Sequence, residues 1–251
     1  MNIDNLHFDT LLGTYNDNSV YDCTFTLSNP LRNVQRIYLK SIEIPISFNN
    51  IRASNGTNMF IITVHGNGFS DRRPVQINEF NCTSITSLLT AINEQLSIVY
   101  PSVSFHCVDK YVYLKLTGLP NNTVVDFHPS KLLSVVLGFT KLSYTVTNEV
   151  KADNNYLIAY DNYISLYLQD IPVKSTGYSN QLISYKIPLN AVNSMVYYLQ
   201  ELNSFSQCVE ITDKNYVLTR LRVVIFDRFG DKITNGLDYS FSLAVNYHEE
   251  L

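Results

Sequence analysis

The chain has 251 residues, is 45% apolar and only 16% charged, and carries a net charge of −4. That length sustains a hydrophobic core without disulfide or metal staples, and the missing basic excess argues against a protein whose main task is to hold nucleic acid. Eighteen Tyr and thirteen Phe, with no Trp and little Gly, favour pleated, half-buried surfaces.

Met1–Asn5 has neither the basic nor the apolar region of a secretory signal. No apolar run approaches the ~18 residues of a membrane helix, so no membrane span is expected. Cys23, Cys82, Cys107 and Cys208 lie far apart without metal spacing and read as reduced, buried thiols. Asn55, Asn81 and Asn121 each head an N-x-Thr sequence, read as chance in an Asn-rich chain without an export signal.

Residues 1–19 are polar apart from Leu11-Leu12 and read as an irregular N-terminal arm. Tyr21–Leu27 alternates, with Tyr21, Cys23, Phe25 and Leu27 on one face and Asp22, Thr24 and Thr26 on a wet one. That is a strand, ended by Ser28-Asn29-Pro30. Val34–Ile46 is a longer strand whose apolar parity changes between Leu39 and Ile42. This predicts a bulge around Lys40-Ser41, and Pro45 predicts an edge or corner at its end.

From about residue 50 the pattern changes. After a turn-rich loop, Met59–Val64 and Val75–Ile77 read as short strands. Ser84–Ser97 is the best helix, with Ile85, Leu88, Leu89, Ile92 and Leu96 on one face, Thr83 or Ser84 to cap it and Pro101 beyond it. Val103–Cys107, Tyr111–Leu116 and Val124–Phe127 are strands. Ser130–Leu137 is a second short helix, capped by Ser130, with Gly138 suited to the left-handed position after its end.

The remainder is β again: Tyr156–Ala159, Tyr163–Leu168, Leu182–Ile187 after the polar loop Lys174–Asn180, Met195–Leu199 and Val209–Ile211. Leu218–Phe226 and Tyr239–Tyr247 read as a hairpin-like pair around Asp227–Asp238, forming the closing edge of a sandwich. The fold class is therefore mainly β: a single jelly-roll β-sandwich with an inserted small α/β subdomain. The expected organisation is an arm (1–19), a sandwich (20–49 and 151–251) and an insert (50–150).

Chemistry-bearing patterns are sparse. His7, His65, His106, His128 and His248 form no ligand pair at close spacing, and His106 and Cys107 point to opposite faces of one strand. No nucleophile elbow, P-loop or dinucleotide fingerprint occurs. Arg72-Arg73 reads as a solvated loop. Asp227, Asp231 and Asp238 lack calcium-loop spacing and read as loop residues. No catalytic, cofactor-binding or metal residue is assigned, and neither enzyme activity nor a cofactor is expected. The abundant functional type is tyrosine: Tyr156, Tyr160, Tyr163 and Tyr167, and Tyr197-Tyr198. These serve the core or its rim, a protein interface or a sugar-stacking platform.

The order of features resembles a known family. The features are Arg36–Ser47, an Asn-rich loop, the helix Ser84–Ser97, and Lys131-Leu-Leu-Ser-Val-Val-Leu-Gly-Phe139. They continue with Asp170-Ile171-Pro172, Tyr185-Lys-Ile-Pro-Leu189, Leu221–Asp227 and Gly236–Leu243. In this it resembles the penton and minor capsid proteins of virophages, polinton-like viruses and some giant DNA viruses, from about residue 20 onward. The resemblance implies a structural capsid protein of an icosahedral double-stranded DNA virus, most simply the penton. It implies a homopentamer at each fivefold vertex, with a double-jelly-roll major capsid protein and other minor capsid proteins as partners. There would be no specific nucleic acid partner. The location would be the virion, after assembly in the host cytoplasm. The alternatives are a cement protein under the facets, or a carbohydrate- or receptor-binding sandwich of a spike that uses Tyr160 or Tyr163.

Overall fold

The computed structural model describes residues 2–54, 56–66, 68–119, 123–128, 131–158, 163–172, 184–189, 196–200 and 208–248. In chain order the elements begin with β1 (Asn2–Asp9), a 3-10 turn (Thr10–Leu12), β2 (Thr14–Asn16), β3 (Ser19–Leu31) and β4 (Val34–Pro45). Then come β5 (Met59–Gly66), β6 (Phe69–Gln76), α1 (Ile85–Val99), β7 (Val103–Val108), β8 (Tyr111–Leu116) and β9 (Thr123–His128). They are followed by α2 (Lys131–Leu137), β10 (Ser143–Val146), β11 (Glu149–Lys151), β12 (Tyr163–Gln169) and β13 (Tyr185–Pro188). The chain closes with β14 (Val196–Gln200), β15 (Cys208–Glu210), β16 (Leu218–Phe226) and β17 (Ser240–Tyr247). It divides into two compact units, Met1–Phe48 with Asp161–Leu251, and Asn49–Tyr160.

The first unit is a jelly roll. One sheet runs β1-β17-β4-β14, with β15 beside β14 on the same edge of β4; the other runs β13-β12-β16-β3-β2. Counting its eight main strands along the chain, with β14 and β15 as one, the sheets read 1-8-3-6 and 5-4-7-2. This is the double Greek key of a jelly roll. Alternation along each strand supplies the core between the sheets. Ile37, Leu39, Ile42 and Ile44 of β4 and Phe241, Leu243 and Val245 of β17 belong to it. So do Tyr21, Cys23 and Phe25 of β3 and Leu221, Val223 and Ile225 of β16. The Tyr185 hydroxyl donates to the Ile37 carbonyl across this core at 2.9 Å.

The parity change in β4 is a bulge. Ser41 pairs with Ser242 and Leu39 with Leu243, so Lys40 is passed over and the apolar side chains on both sides still face inward. Pro45 ends the strand, at the corner where the chain leaves the sandwich.

Three expectations need correction. Residues 2–9 are not irregular: β1 pairs with β17 in unbroken register from Asn2–Tyr247 to Asp9–Ser240. Leu6 and Phe8 give it an inward face, so the expected arm contains the first strand of the roll. β16 and β17 are not a hairpin at a closing edge either. They lie in opposite sheets, each between two neighbours, because the connection between them crosses from one sheet to the other. Finally, β3 continues through Ser28–Pro30 to Leu31, with a register jump against β16 that absorbs the extra residues.

The second unit has its own core. A sheet β10-β9-β5-β6, a sheet β11-β8-β7 and both helices enclose it. Ser84 caps α1 by accepting from the Ser87 amide at 3.1 Å, and the helix buries Ile85, Leu88, Leu89, Ile92 and Leu96. α2 ends in a Schellman motif: the Phe139 amide donates to Ser134 and the Gly138 amide to Val135, with Gly138 at φ +89°. Ser130 lies outside the described residues. Residues 156–158, read as a strand, are irregular, and Tyr156 and Ile158 pack against this second core.

Candidate interaction surface

One flank of the sandwich is open among the described residues. β1 is paired on one side only among the described residues. In the facing sheet β2 pairs with β3 no further than Thr24, so that among the described residues Thr26–Leu31 has no strand on that side. Between the two edges runs a cleft of about 500 Å³, lined by Asp4, Leu6, Phe8, Leu12, Phe25 and Leu27 among others. The turn after β1 presents Leu11 and Leu12 to solvent, Leu12 at 87% exposure. This turn is pinned. Thr10 exchanges backbone and side-chain hydrogen bonds with Tyr239, and its hydroxyl also donates to Asp238 at 3.1 Å. Tyr15 donates to the same Asp238 oxygen at 2.5 Å. That carboxylate pushes the Tyr15 phenol up to about 12.

Asp22 is placed on the wet face by its parity yet is only 1% exposed. Arg222 grips both its oxygens at 2.8 and 2.9 Å, Lys232 approaches at 2.6 Å and Asn16 donates at 3.0 Å. Burial alone would raise this carboxyl; the bonds from Arg222, Lys232 and Asn16 outweigh burial and hold it at about 2. The pairing joins β3 to its neighbour β16 and to the loop before β17. Nothing local in the sequence marks it, since its charged partners, Arg222 and Lys232, lie two hundred residues or more away.

The other residues singled out by sequence are dispersed. His7 bonds Ser242, His65 bonds Asp126 on a neighbouring strand, and His106 stacks on Tyr113 and faces Glu149. Cys107 packs instead toward the insert core. Cys23 and Cys82 are buried, and burial pushes the Cys23 thiol up to about 11. Cys107 is half-buried and Cys208 exposed, against the expectation of four buried thiols. Arg72 and Arg73 sit on strand β6, not in a loop, because β6 starts six residues earlier than Val75. Asp227 organises its own loop, accepting from the Phe229 and Asp231 amides. Among the described residues no group of His, Cys, Asp and Glu is placed to hold a metal ion.

Tyr163 donates to the Arg228 carbonyl, and Lys186 Nζ lies 4.1 Å from its ring centre. Tyr167 packs near Phe226, and Tyr156 is half-buried in the insert. Tyr160 and the side chains of Tyr197 and Tyr198 lie outside the described residues. The signal that could have found β1 was present in the sequence: Leu6 and Phe8 at period two, beside polar residues that hid them.

No family model and no curated protein matches the chain. Solved structures do match. The chain has the fold of the mavirus penton protein, at 14% identity and TM-score 0.54, with 97% of this chain and 98% of that one covered. A chain of the Sputnik virophage structure matches at 10% identity and TM-score 0.54, again over 97% and 98%. The mainly β, jelly-roll-plus-insert architecture is thus shared with virophage proteins over nearly the full length.

Proposed function

We propose that the chain is a structural protein of an icosahedral double-stranded DNA virus capsid, the penton at the fivefold vertices. One observation carries this reading: the full-length match to a penton protein, which covers 97% of the chain and so takes in the insert as well as the roll. A generic sandwich match would have stopped at the first unit.

The physical features support an assembly role. Two stacked sheets with a dry core make a stiff body, and a ring of five needs two different flanks that meet in heterologous contacts. The flanks of this sandwich do differ: one is the open edge at β1 and β3, the other is built from β13, β14 and β15. Low charge and abundant Tyr reduce the cost of desolvating such contacts. The insert would then serve as the variable module, exposed to neighbouring capsomers or to the outside. Its partners on this reading are four further copies of itself and a double-jelly-roll major capsid protein. The role is that of a building block, without catalysis.

Sedimentation velocity of the purified chain across a concentration series tests the ring. A species of five copies is expected. A strict monomer at the highest concentrations, from a chain also absent from purified particles, overturns the reading.

A further inference from the structure

Exposed strand edges template unwanted pairing, and folded proteins blunt them by shortness, proline, charge or a covering group. Most edges in this chain are treated in that way. β2, β10, β11, β13, β14 and β15 run for five residues or fewer. β6 is long but carries Arg72, Arg73 and Pro74. β7 is covered by the helix beside it: the Asn93 amide bonds both the N–H and the C=O of Phe105, at 2.8 and 2.7 Å, in the manner of a neighbouring strand.

β1 departs from this pattern. It is eight residues long, holds its register with β17 without a bulge, contains no proline, lysine or arginine, and carries as its only fixed charges Asp4 and Asp9. Ile3 on it is 63% exposed. A strand laid along Ile3–Asp9 would project alternate side chains into the cleft between β1 and β3, whose floor includes Leu6, Phe25 and Leu27. The charged residues of that lining are Asp4 and Asp9, with no lysine or arginine among them. Asp4 shares the inward parity of Leu6 and Phe8, whereas Asp9 has the opposite parity and caps the turn by accepting from the Leu11 amide, so Asp4 is the carboxylate placed to meet an incoming charge.

We propose that β1 is a docking strand: its edge accepts an extended segment of another protein chain, alternating apolar and basic residues, as the next strand of the sheet. Main-chain hydrogen bonds would give the affinity, and the cleft and Asp4 the selectivity. Two copies of β1 paired isologously would bring Asp4 and Asp9 of both copies to one interface, so the acidic rim disfavours β1-to-β1 pairing and selects a basic strand there.

The test uses three capped ten-residue probe peptides with the intact chain: one alternating valine and lysine, one with glutamate for lysine, and one with two valines replaced by proline. Binding is followed by fluorescence anisotropy, and the site by amide hydrogen exchange. The lysine peptide is expected to bind at least about threefold tighter than the glutamate peptide and the proline peptide to fail. Slowed exchange should be confined to Ile3–Asp9, and the preference should reverse in Asp4→Lys. Absent binding, equal binding of the charged peptides to the native chain, or slowed exchange elsewhere overturns the proposal. The titration is run at concentrations where the chain sediments as a monomer, away from ring contacts on this flank; protection of Ile3–Asp9 there without peptide also overturns the proposal. A failed titration leaves the penton reading standing, since the ring is tested separately by sedimentation.

Discussion

In the sandwich, Asn2 pairs with Tyr247 across nearly the whole chain; in the insert, the most distant strand pairing among the described residues joins Ile61 to His128. Both units are β-rich with dry cores, yet they close loops of very different length. The insert is assembled from near neighbours: β5 with β6, β7 with β8, and α1 packed on β7. The sandwich brings together both chain ends, and its first and last strands lie side by side. Short loops cost less entropy to close, and contacts of low sequence separation form sooner. The insert is therefore expected to form early and to remain folded under conditions that open the roll.

The harshest way to break this contrast is to remove residues 1–9. That deletes an edge strand and the Phe8 ring, which stacks on Phe241 and packs against Phe25, each at 5.0 Å between ring centres. The roll is expected to lose its cooperative transition while amides of residues 85–116 stay protected in hydrogen exchange. Loss of protection in both units together would show that they fold as one.

Phe139→Ala reverses the target. The ring is fully buried between Phe105 and Tyr144, so its removal is expected to cost the insert about 4 kcal/mol, measured by urea titration with exchange readout, while protection in β16 and β17 is unchanged. Asp22→Ala strikes the roll instead. It leaves Arg222 and Lys232, both partly exposed, without their shared carboxylate, for an expected loss of about 3 kcal/mol, the low end for a broken buried pair.

Acid sharpens the same point. The Asp22 carboxyl is held at about 2 in the fold and titrates near 4 in an unfolded chain. Its stabilisation is thus complete above about pH 4 and disappears as pH falls through about 2. Asp153 in the insert is also held well below the carboxylate range, chiefly by the Tyr144 hydroxyl. Both units should weaken in acid, and Asp22→Asn should flatten the pH dependence of the roll alone, as read from melting temperatures between pH 5 and 2. The smallest expected effect is Ser84→Ala, about 1 kcal/mol from one lost helix cap in the insert.

The same contrast governs what can be read from the chain. The helix α1, its cap, the Schellman turn at Gly138 and the bulge at Lys40 are all written in neighbouring residues, and each lies where local pattern places it. The partners of β16 and β17 are not. Adjacent in sequence and alternating alike, they look like a hairpin, and only the competition of other strands sends them to opposite sheets. β1 escaped notice because two inward residues, Leu6 and Phe8, are outnumbered by polar ones whose face is the open flank. Asp22 looks like any surface carboxylate until Arg222 and Lys232 arrive from the other end of the chain. Local chemistry is legible in single segments; the interaction surface is made of long-range juxtapositions and is not.

On the proposed function, this roll and its insert would occupy the corners of an icosahedral shell. A cryo-EM map of the source particle, with this chain fitted as a rigid roll, measures that directly. Five copies are expected around each fivefold axis, their sandwiches meeting flank to flank. Density for the chain beneath the facets, or none in the shell at all, would contradict it.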